Sequence, residues 1–225
     1  MITIATGIPG SGKSLWTADT FLWLLRRNIR WHKKSGIIRK VFSNLKLSAD
    51  LEKEYAGFFE YWDDPSILVK IYDADIVWDE VATHLDSTQW ANLPLEIKRF
   101  MQQHRKRGID IFGNTQDFAM IDISMRRLVS DVIILKKVFG SRDPSPTRPP
   151  VKYIWGLVIS KSVDPATFEK PEKRFSGWGW FLIRKKLVQA FDTRQEIKMG
   201  VYPPLKHVDR VCVRPECDFK KTIHL

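Results

Sequence analysis

Cysteine is scarce in this chain of 225 residues, which has only Cys212 and Cys217, both near the C-terminus. Neither can form a disulfide across the main body of the chain, which favours a reducing, cytosolic setting over secretion. Apolar runs long enough to predict a transmembrane helix are also lacking. Acidic residues number 26 against 37 lysines and arginines, giving a net charge of +11. This excess favours an anionic partner such as nucleic acid, lipid headgroups or a nucleotide.

The first 140 residues alternate between predicted strands and helices. Two helices are predicted, an almost wholly apolar and therefore buried one over residues 15–27, and an amphipathic one over 95–107 that Gly108 ends. Five strands are predicted: ITIAT from residue 2, IIRKVFSNL from 37, ADIVWDE from 74, IDIFGNTQ from 109 and DVIILKKV from 131. Because the first strand follows Met1 directly, we expect no signal peptide. The alternation predicts an α/β fold with a mainly parallel sheet covered by helices.

The composition changes after residue 140, where GSRDPSPTRPP contains four prolines. We predict a P-loop NTPase core over 1–140, a Pro-rich loop over 141–152, β-hairpin additions to the same domain over 153–200, and a tail over 201–225. In the hairpins, we expect the indoles of GWGW to pack in the core rather than form a docking surface. The tail contains four residues that could bind a metal but lacks a tight C-x2-C pair, which favours free thiols over zinc: His207, Cys212, Cys217 and His224.

The strongest motif is GIPGSGKS at residues 7–14, a complete Walker A pattern between a predicted strand and a helix. Glycines allow backbone N–H groups to surround a phosphate, and the start of the helix adds its positive dipole end. Lys13 is expected to reach the β- and γ-phosphates of ATP, and the Ser14 hydroxyl to bind Mg²⁺. The predicted nucleotide-binding residues are Gly7, Pro9, Gly10, Ser11, Gly12, Lys13, Ser14 and Leu15.

The strand IVWDE predicts the other half of the site. Asp79 at its end is expected to hold Mg²⁺, and Glu80 to polarise an attacking water, which favours hydrolysis over transfer to a small acceptor. With the strands in the order 5-1-4-3-2, Gln116 or Asn114 lies between the two Walker strands and can sense the γ-phosphate. Four arginines are candidates for a finger that reaches a neighbouring subunit: Arg105, Arg107, Arg126 and Arg127. HRKRG, which holds two of them, can equally contact DNA phosphates or complement a helix dipole.

Taken together, these segments resemble the zonular occludens toxin (Zot) family, which includes the gene I assembly proteins of filamentous phages. The resemblance rests on GIPGSGKS, VFSNL, IVWDE and, most specifically, HRKRGIDIFGNTQDFAMIDISMRRL, with FDTRQE near Phe191 as a further element. It spans about residues 1–200.

The resemblance implies a P-loop NTPase fold of the additional-strand type. It implies an ATP hydrolase that uses Mg²⁺, assembles in a ring and drives extrusion of filamentous virions at the cytoplasmic face of the host inner membrane. The implied roles are nucleotide and Mg²⁺ binding for Lys13 and Ser14, Walker B for Asp79 and Glu80, and sensor for Gln116. Implied partners are phage single-stranded DNA or packaging and coat proteins. Family members usually continue into a transmembrane segment and a periplasmic part, so we expect membrane contact through a partner or a segment absent from this sequence.

Three classes of function remain open from the residues alone. The first is a motor ATPase, and the second is a small-molecule kinase, which shares the Walker A loop but places strand 1 beside strand 3. The third is a nucleotide-dependent scaffold or DNA-binding module without turnover, or a DNA-binding or packaging ATPase that is not tied to extrusion. Glu80 argues against the kinase and against a module without turnover, and a strand inserted between the Walker strands favours the motor.

Overall fold

The computed structural model describes residues 1–85, 93–140, 156–170, 172–183, 187, 190 and 191. Its strands are β1 (Ile2–Thr6), β2 (Val41–Ser43), β3 (Phe59–Tyr61), β4 (Asp75–Trp78), β5 (Asp110–Thr115), β6 (Asp131–Gly140), β7 (Gly156–Val163) and β8 (Phe175–Ile183). Its α-helices are α1 (Lys13–Ser35), α2 (Ala49–Glu54), α3 (Ala82–Leu85), α4 (Leu95–Gln103) and α5 (Ile123–Arg126). Short 3-10 turns lie at Pro65–Lys70, Phe118–Met120 and Pro165–Thr167.

These strands form one sheet in the order β3-β2-β4-β5-β1-β6-β7-β8. The strands from β3 to β6 in this order are parallel, and β7 and β8 continue the sheet antiparallel. The predicted α/β fold with a mainly parallel sheet is confirmed, and the five predicted strands keep their relative order. The predicted count was too low, because the mixed sequence between β2 and β4 contains the short strand β3. One strand, β5, separates β1 from β4, the arrangement that favours the motor over the kinase.

Helices cover both faces of the parallel part of the sheet. On one face, α1 packs Phe21, Leu24 and Leu25 against Val77 of β4 and Phe112 of β5. On the other face, α4 is amphipathic as predicted, and the side chains on its predicted face are all buried: Ile97, Phe100, Met101 and His104. Since both faces of the parallel sheet are buried, its side chains reach solvent mainly at the ends of the strands. The P-loop lies at the carboxyl ends of these strands.

Helix α1 differs from its prediction in length and exposure. It continues eight residues past Arg27, because the polar sequence that follows contains no helix breaker before Gly36, which adopts a φ of 73° and ends the helix. The helix is not buried all round: Trp23 is 52% exposed. The guanidinium of Arg27 lies 5.0 Å from the centre of the Trp23 ring and shields part of it.

A buried carboxylate fixes α1 against β4. Asp75, which is fully buried, accepts hydrogen bonds from Arg27 at 2.6 Å, from Asn28 at 2.8 Å and from Arg39 at 2.8 Å. The Arg39 guanidinium also donates to the carbonyl of Ala74 at 2.9 Å. This cluster ties the helix that follows Walker A to the strand that carries Walker B, at the end of the sheet opposite the P-loop.

The indoles of the GWGW segment are not in the core, and that expectation was wrong. Trp178 and Trp180 of β8 are 68% and 70% exposed. The pairing of β7 with β8 places them on the sheet face opposite Val158, and Val158 is the residue that is buried beside α1. The predicted Pro-rich loop and the tail with His207, Cys212, Cys217 and His224 lie outside the described residues.

None of the helices within the described residues combines the length and the hydropathy that spanning a membrane requires.

Candidate functional site

The loop that joins β1 to α1 depends on its glycines. Gly10 and Gly12 adopt φ values of 79° and 96°, which favour residues without a side chain. A Cβ on Gly7 would lie 2.7 Å from the carbonyl oxygen of Leu135 and 2.7 Å from Ser11 Oγ. The Ser11 hydroxyl is buried and lacks a hydrogen-bond partner among the described residues. The loop is therefore a tight backbone cradle with an unused donor inside, which fits a phosphate group.

Lys13 holds this loop closed on itself. Its ammonium donates to the carbonyl oxygens of Gly7 at 2.8 Å and Ile8 at 3.3 Å, and the side chain is nearly buried. Ser14 follows in the first turn of α1 and is exposed. Pro9 at the tip of the loop is also exposed, whereas Leu15 packs against the core beneath the loop. When a nucleotide binds, the Lys13 ammonium can therefore donate to phosphate oxygens in place of these carbonyl oxygens.

The Walker B turn is held by a side chain that the sequence analysis did not single out. Asn44 follows β2 and is buried, and it clamps the backbone of Asp79. Its Oδ1 accepts from the Asp79 N–H at 2.8 Å, and its Nδ2 donates to the Asp79 carbonyl at 2.9 Å. The signal in the sequence was an amide at the end of a predicted strand, in the segment VFSNL.

Glu80 follows in a backbone conformation that is rare for a residue with a side chain. Its φ is 51°, in the left-handed region, which costs on the order of 1 kcal/mol. Its N–H donates to Asn114 Oδ1 at 3.1 Å, which holds the turn in this shape. The strained turn places two consecutive carboxyl groups, Asp79 and Glu80, directly after the carboxyl end of β4, where the charge of Lys13 acts to lower the pKa of both.

Asn114 of β5 connects the two Walker motifs. It is fully buried, and its Nδ2 donates to Thr17 Oγ1 at 2.6 Å and, through a very short contact, to the Asp79 carboxylate. Thr17 Oγ1 in turn donates to the backbone carbonyl of Lys13 at 3.2 Å. Gln116 lies beyond the end of β5 with its side chain exposed, and its backbone carbonyl accepts from Thr6. Asn114 therefore occupies the position between the Walker strands, and the sensor role of Gln116 stays a prediction.

Burial raises the pKa values of both carboxyl groups. The pKa of Asp79 rises to about 6, because desolvation and the neighbouring charge of Glu80 outweigh the Asn114 hydrogen bond and the Lys13 charge. The pKa of Glu80 also rises through desolvation, and Lys13 partly opposes the rise. A carboxylate with a raised pKa is a stronger base, and one that is poorly solvated gains more from a bound cation.

The raised pKa predicts that Asp79→Asn stabilises the ligand-free protein. Because the pKa of Asp79 is higher in the folded than in the unfolded chain, the protonated side chain stabilises the fold. This contribution is complete below the unfolded pKa of 3.8 and is lost as the pH rises through the folded pKa of about 6. At pH 7 the asparagine avoids this loss and keeps the acceptor for Asn114, so we expect about 2 kcal/mol more stability than the unsubstituted chain. Urea denaturation at pH 7 and at pH 4 measures this, with the difference vanishing at pH 4. Equal stability at pH 7 would contradict the raised pKa.

Asn114→Ala is expected to uncouple the two Walker motifs. The substitution leaves the Asp79 carboxylate, the Glu80 N–H and Thr17 Oγ1 without their partner in a buried place, which costs about 3 kcal/mol of stability. Nucleotide affinity is expected to fall as well, because the turn with Glu80 in its left-handed conformation loses its support. Met120→Ala, which removes an exposed side chain six residues further along the same segment, is the matched control. Urea denaturation and nucleotide titration that show the same effect for both variants would contradict the role of Asn114.

The four arginine candidates do not approach the P-loop through any contact that the structure shows. Arg105 donates to Ser130 Oγ at 3.2 Å, and Arg107 donates to the Val69 carbonyl and stacks on Tyr72 at 4.9 Å. Arg126 forms a close ion pair with Glu169. Arg127 is exposed. Ser130 directly precedes β6, so Arg105 lies at the end of the sheet opposite the P-loop, where a finger could serve only a neighbouring subunit.

The chemistry of the donor set fits Mg²⁺ bound together with a nucleotide rather than alone. Ser14 and Asp79 supply hydroxyl and carboxylate oxygens, the hard ligands that Mg²⁺ takes alongside phosphate oxygens and water. Within the described ranges, no three His, Cys, Asp or Glu side chains cluster as a metal site of their own. The site can therefore hold a nucleotide in the backbone cradle, Ser14 and Asp79 would hold its cation, and Glu80 supplies an adjacent base.

Several solved structures show some similarity to this chain. The N-terminal domain of zonular occludens toxin from Neisseria meningitidis matches with 21% identity and a TM-score of 0.49, over 85% of this chain and 98% of that one. The DNA-packaging ATPase B204 from Sulfolobus Turreted Icosahedral Virus matches with 13% identity and a TM-score of 0.47, over 77% and 95%. A KaiC-like protein from Pyrococcus horikoshii matches with 12% identity and a TM-score of 0.39, over 84% and 87%.

No curated protein sequence matches the chain. The family model described as zonular occludens toxin (Zot) matches residues 1–140, which include the P-loop, the Walker B turn and Asn114. The chain therefore belongs to the zonular occludens toxin (Zot) family.

Proposed function

We propose that this chain is an ATP-hydrolysing motor that powers assembly and extrusion of filamentous phage virions at the host inner membrane. One observation carries the proposal: a buried amide on the inserted strand joins the Walker A helix to a Walker B turn with two consecutive carboxylates. Through this link, a change at the Walker A helix when nucleotide binds can alter the position of the Walker B turn. Membership of the Zot family supports the proposal, because the resemblance to that family implies a role in virion assembly.

In the proposed reaction, the cradle binds the phosphates of ATP. The ammonium of Lys13 leaves the Gly7 and Ile8 carbonyls and neutralises the β- and γ-phosphates. The carboxylate of Glu80 accepts a proton from water as the water oxygen attacks the γ-phosphorus, and the bond to the oxygen of ADP breaks. Mg²⁺ held by Ser14 and Asp79 would neutralise phosphate charge. The raised pKa of Glu80 suits this role, because it makes the carboxylate a better proton acceptor near neutral pH.

Assembly into a ring is part of the proposal, since a finger from a neighbour completes sites of this type. Arg105 and Arg127 are the stronger of the four candidates, because both are exposed, whereas Arg126 is paired with Glu169 and Arg107 is held by Val69 and Tyr72. The proposed partners are copies of the chain itself and phage single-stranded DNA or packaging and coat proteins. The proposed location is the cytoplasmic face of the inner membrane.

The decisive experiment is carried out in cells that produce the phage. Disruption of the gene is expected to lower the titre of released virions while single-stranded phage genomes accumulate inside the cells. Expression of the unsubstituted chain should restore release, and Glu80→Gln at equal protein level should not. Normal release after disruption would overturn the extrusion role. Release that depends on the gene but not on Glu80 would overturn the role of hydrolysis. Intact extrusion with empty particles would favour the alternative, a packaging ATPase suggested by the net charge of +11.

A further inference from the structure

The antiparallel end of the sheet exposes one face that has an unusual composition. The register pairs Lys161 with Trp178, Ile159 with Trp180 and Leu157 with Leu182, so these side chains share a face. The two indoles are 68% and 70% exposed. We call this surface the indole face, and its members are Trp178, Trp180, Leu182, Leu157, Ile159, Lys161 and, on β6, Ile134 and Lys136. Exposed indoles in such a setting indicate a binding surface.

A groove runs between the two indoles. It encloses about 470 Å³ and is lined by Leu157, Ile159, Trp178, Gly179 and Trp180. Residues two apart on a strand are separated by about 7 Å. Stacked bases are separated by about 3.4 Å, so two indoles held parallel at this spacing leave room for one planar base between them. The groove is therefore suited to accept a flat apolar group of a ligand.

The charge on the indole face is of one sign. Lys161 Nζ lies 4.1 Å from the centre of the Trp178 ring and 5.3 Å from that of Phe175. Lys136 is exposed on the neighbouring strand, where it pairs with Ile159. No acidic side chain occurs among the described residues that share this face. The combination of cations with open aromatic rings complements a ligand that carries both negative charge and planar apolar groups.

We propose that the indole face is a stacking platform for single-stranded nucleic acid, with a base entering the groove between Trp178 and Trp180 and phosphates beside Lys161 and Lys136. A lipid surface would meet the same exposed indoles and lysines, so vesicle binding is measured beside oligonucleotide binding to distinguish the two. A protein partner would need an apolar anchor but has no need of the lysines. The inference rests on the proposed function, since it names where the motor would hold its nucleic acid.

The same strand that carries the indole face also contacts the P-loop. On the opposite face of β7, a Cβ on Gly12 would lie 2.9 Å from Val158 Cγ2 and 4.0 Å from Phe181 Cζ of β8. Val158 is fully buried there, between Leu157 and Ile159 in sequence. A nucleic acid strand bound on the indole face would therefore be separated from the P-loop by only the thickness of the sheet. We expect nucleic acid binding to change the rate of ATP hydrolysis for this reason.

The test is the binding of a fluorescein-labelled oligothymidylate, measured by anisotropy at fixed salt. The double variant Trp178→Ala/Trp180→Ala is expected to bind about tenfold more weakly or worse, because stacking is lost. The double variant Trp178→Phe/Trp180→Phe should keep most of the affinity, because phenyl rings still stack. Trp23→Ala, which removes another exposed indole on α1, is the matched control and should bind normally. Lys161→Gln should reduce the salt dependence of oligonucleotide binding, and binding itself should persist.

Equal binding by the unsubstituted chain and the alanine pair would overturn the proposal, as would equal losses for the alanine pair and Trp23→Ala. No binding by the unsubstituted chain would overturn it too. Binding to phosphatidylglycerol vesicles is measured in parallel. If the alanine pair loses vesicle binding but binds the oligonucleotide normally, the indole face binds lipid and not nucleic acid. ATP hydrolysis by the unsubstituted chain without oligonucleotide is measured alongside. Its absence would count against the proposed function, whereas failure confined to the oligonucleotide would count against the indole face alone.

Discussion

Lys13→Ala is expected to lower ATP affinity about a hundredfold, equivalent to ~3 kcal/mol, and to leave no measurable hydrolysis. The lysine supplies a side-chain cation at the phosphate cradle, within hydrogen-bond distance of the Gly7 and Ile8 carbonyls. Hydrogen bonds from an ammonium to phosphate oxygens are charge-assisted, and alanine cannot replace them. Titration with a fluorescent ATP analogue measures the affinity, and phosphate release measures the turnover.

The structure adds a second consequence to this substitution. Lys13 also closes the ligand-free loop, so its removal should loosen residues 7–12 as well as weaken binding. Lys34→Ala is the matched control, because Lys34 lies in the last turn of the same helix and is exposed. Faster amide hydrogen exchange in the loop of Lys13→Ala, but not of Lys34→Ala, would show this loosening. Unchanged ATP affinity and turnover in Lys13→Ala would refute the role of the loop as a nucleotide site.

The parts of the fold that the sequence predicted are those with strong local signals. Five strands, the α4 face and the Walker loop each arise from spacing within about a dozen residues: alternation, helical period or glycine position. The strand order 5-1-4-3-2 was assumed in the argument about the Walker motifs, and the structure places β5 between β1 and β4 accordingly. Local signals also explain the underestimated length of α1, because hydrophobic periodicity ends at Arg27 although nothing breaks the helix before Gly36.

The parts that the sequence did not predict depend on contacts between distant residues. Asn44 and Asp79 are 35 positions apart, and Asn114 and Thr17 are 97 apart, so neither hydrogen-bonded pair leaves a pattern in the chain. The exposure of Trp178 and Trp180 depends on which face of β8 meets α1, and alternation alone cannot tell one face from the other. Both kinds of information come from packing, which is why the amide network and the indole face appear only in the structure.

Glu80→Gln is expected to separate ATP binding from hydrolysis. The amide has nearly the shape of the carboxylate but cannot accept the proton of the attacking water, so turnover should fall about 10²- to 10⁴-fold while ATP affinity stays within a few-fold. The backbone should be retained, because the Glu80 N–H donates to Asn114 Oδ1 through the main chain and not through the replaced group. Binding and single-turnover phosphate release measure the two quantities independently. Glu60→Gln on edge strand β3, exposed and remote in the sheet order, is the matched control.

Comparison with Asp79→Asn makes this test more specific, because the two carboxylates are adjacent but are assigned different roles. If Asp79 holds Mg²⁺, Asp79→Asn should weaken the dependence of ATP binding on Mg²⁺, whereas Glu80→Gln should leave that dependence intact. Loss of ATP binding in Glu80→Gln would mean that the side chain supports the strained turn rather than the chemistry. Unchanged turnover would mean that another group accepts the proton. An ATP-bound, inactive Glu80→Gln would instead show that the left-handed turn at φ 51° exists to place a base.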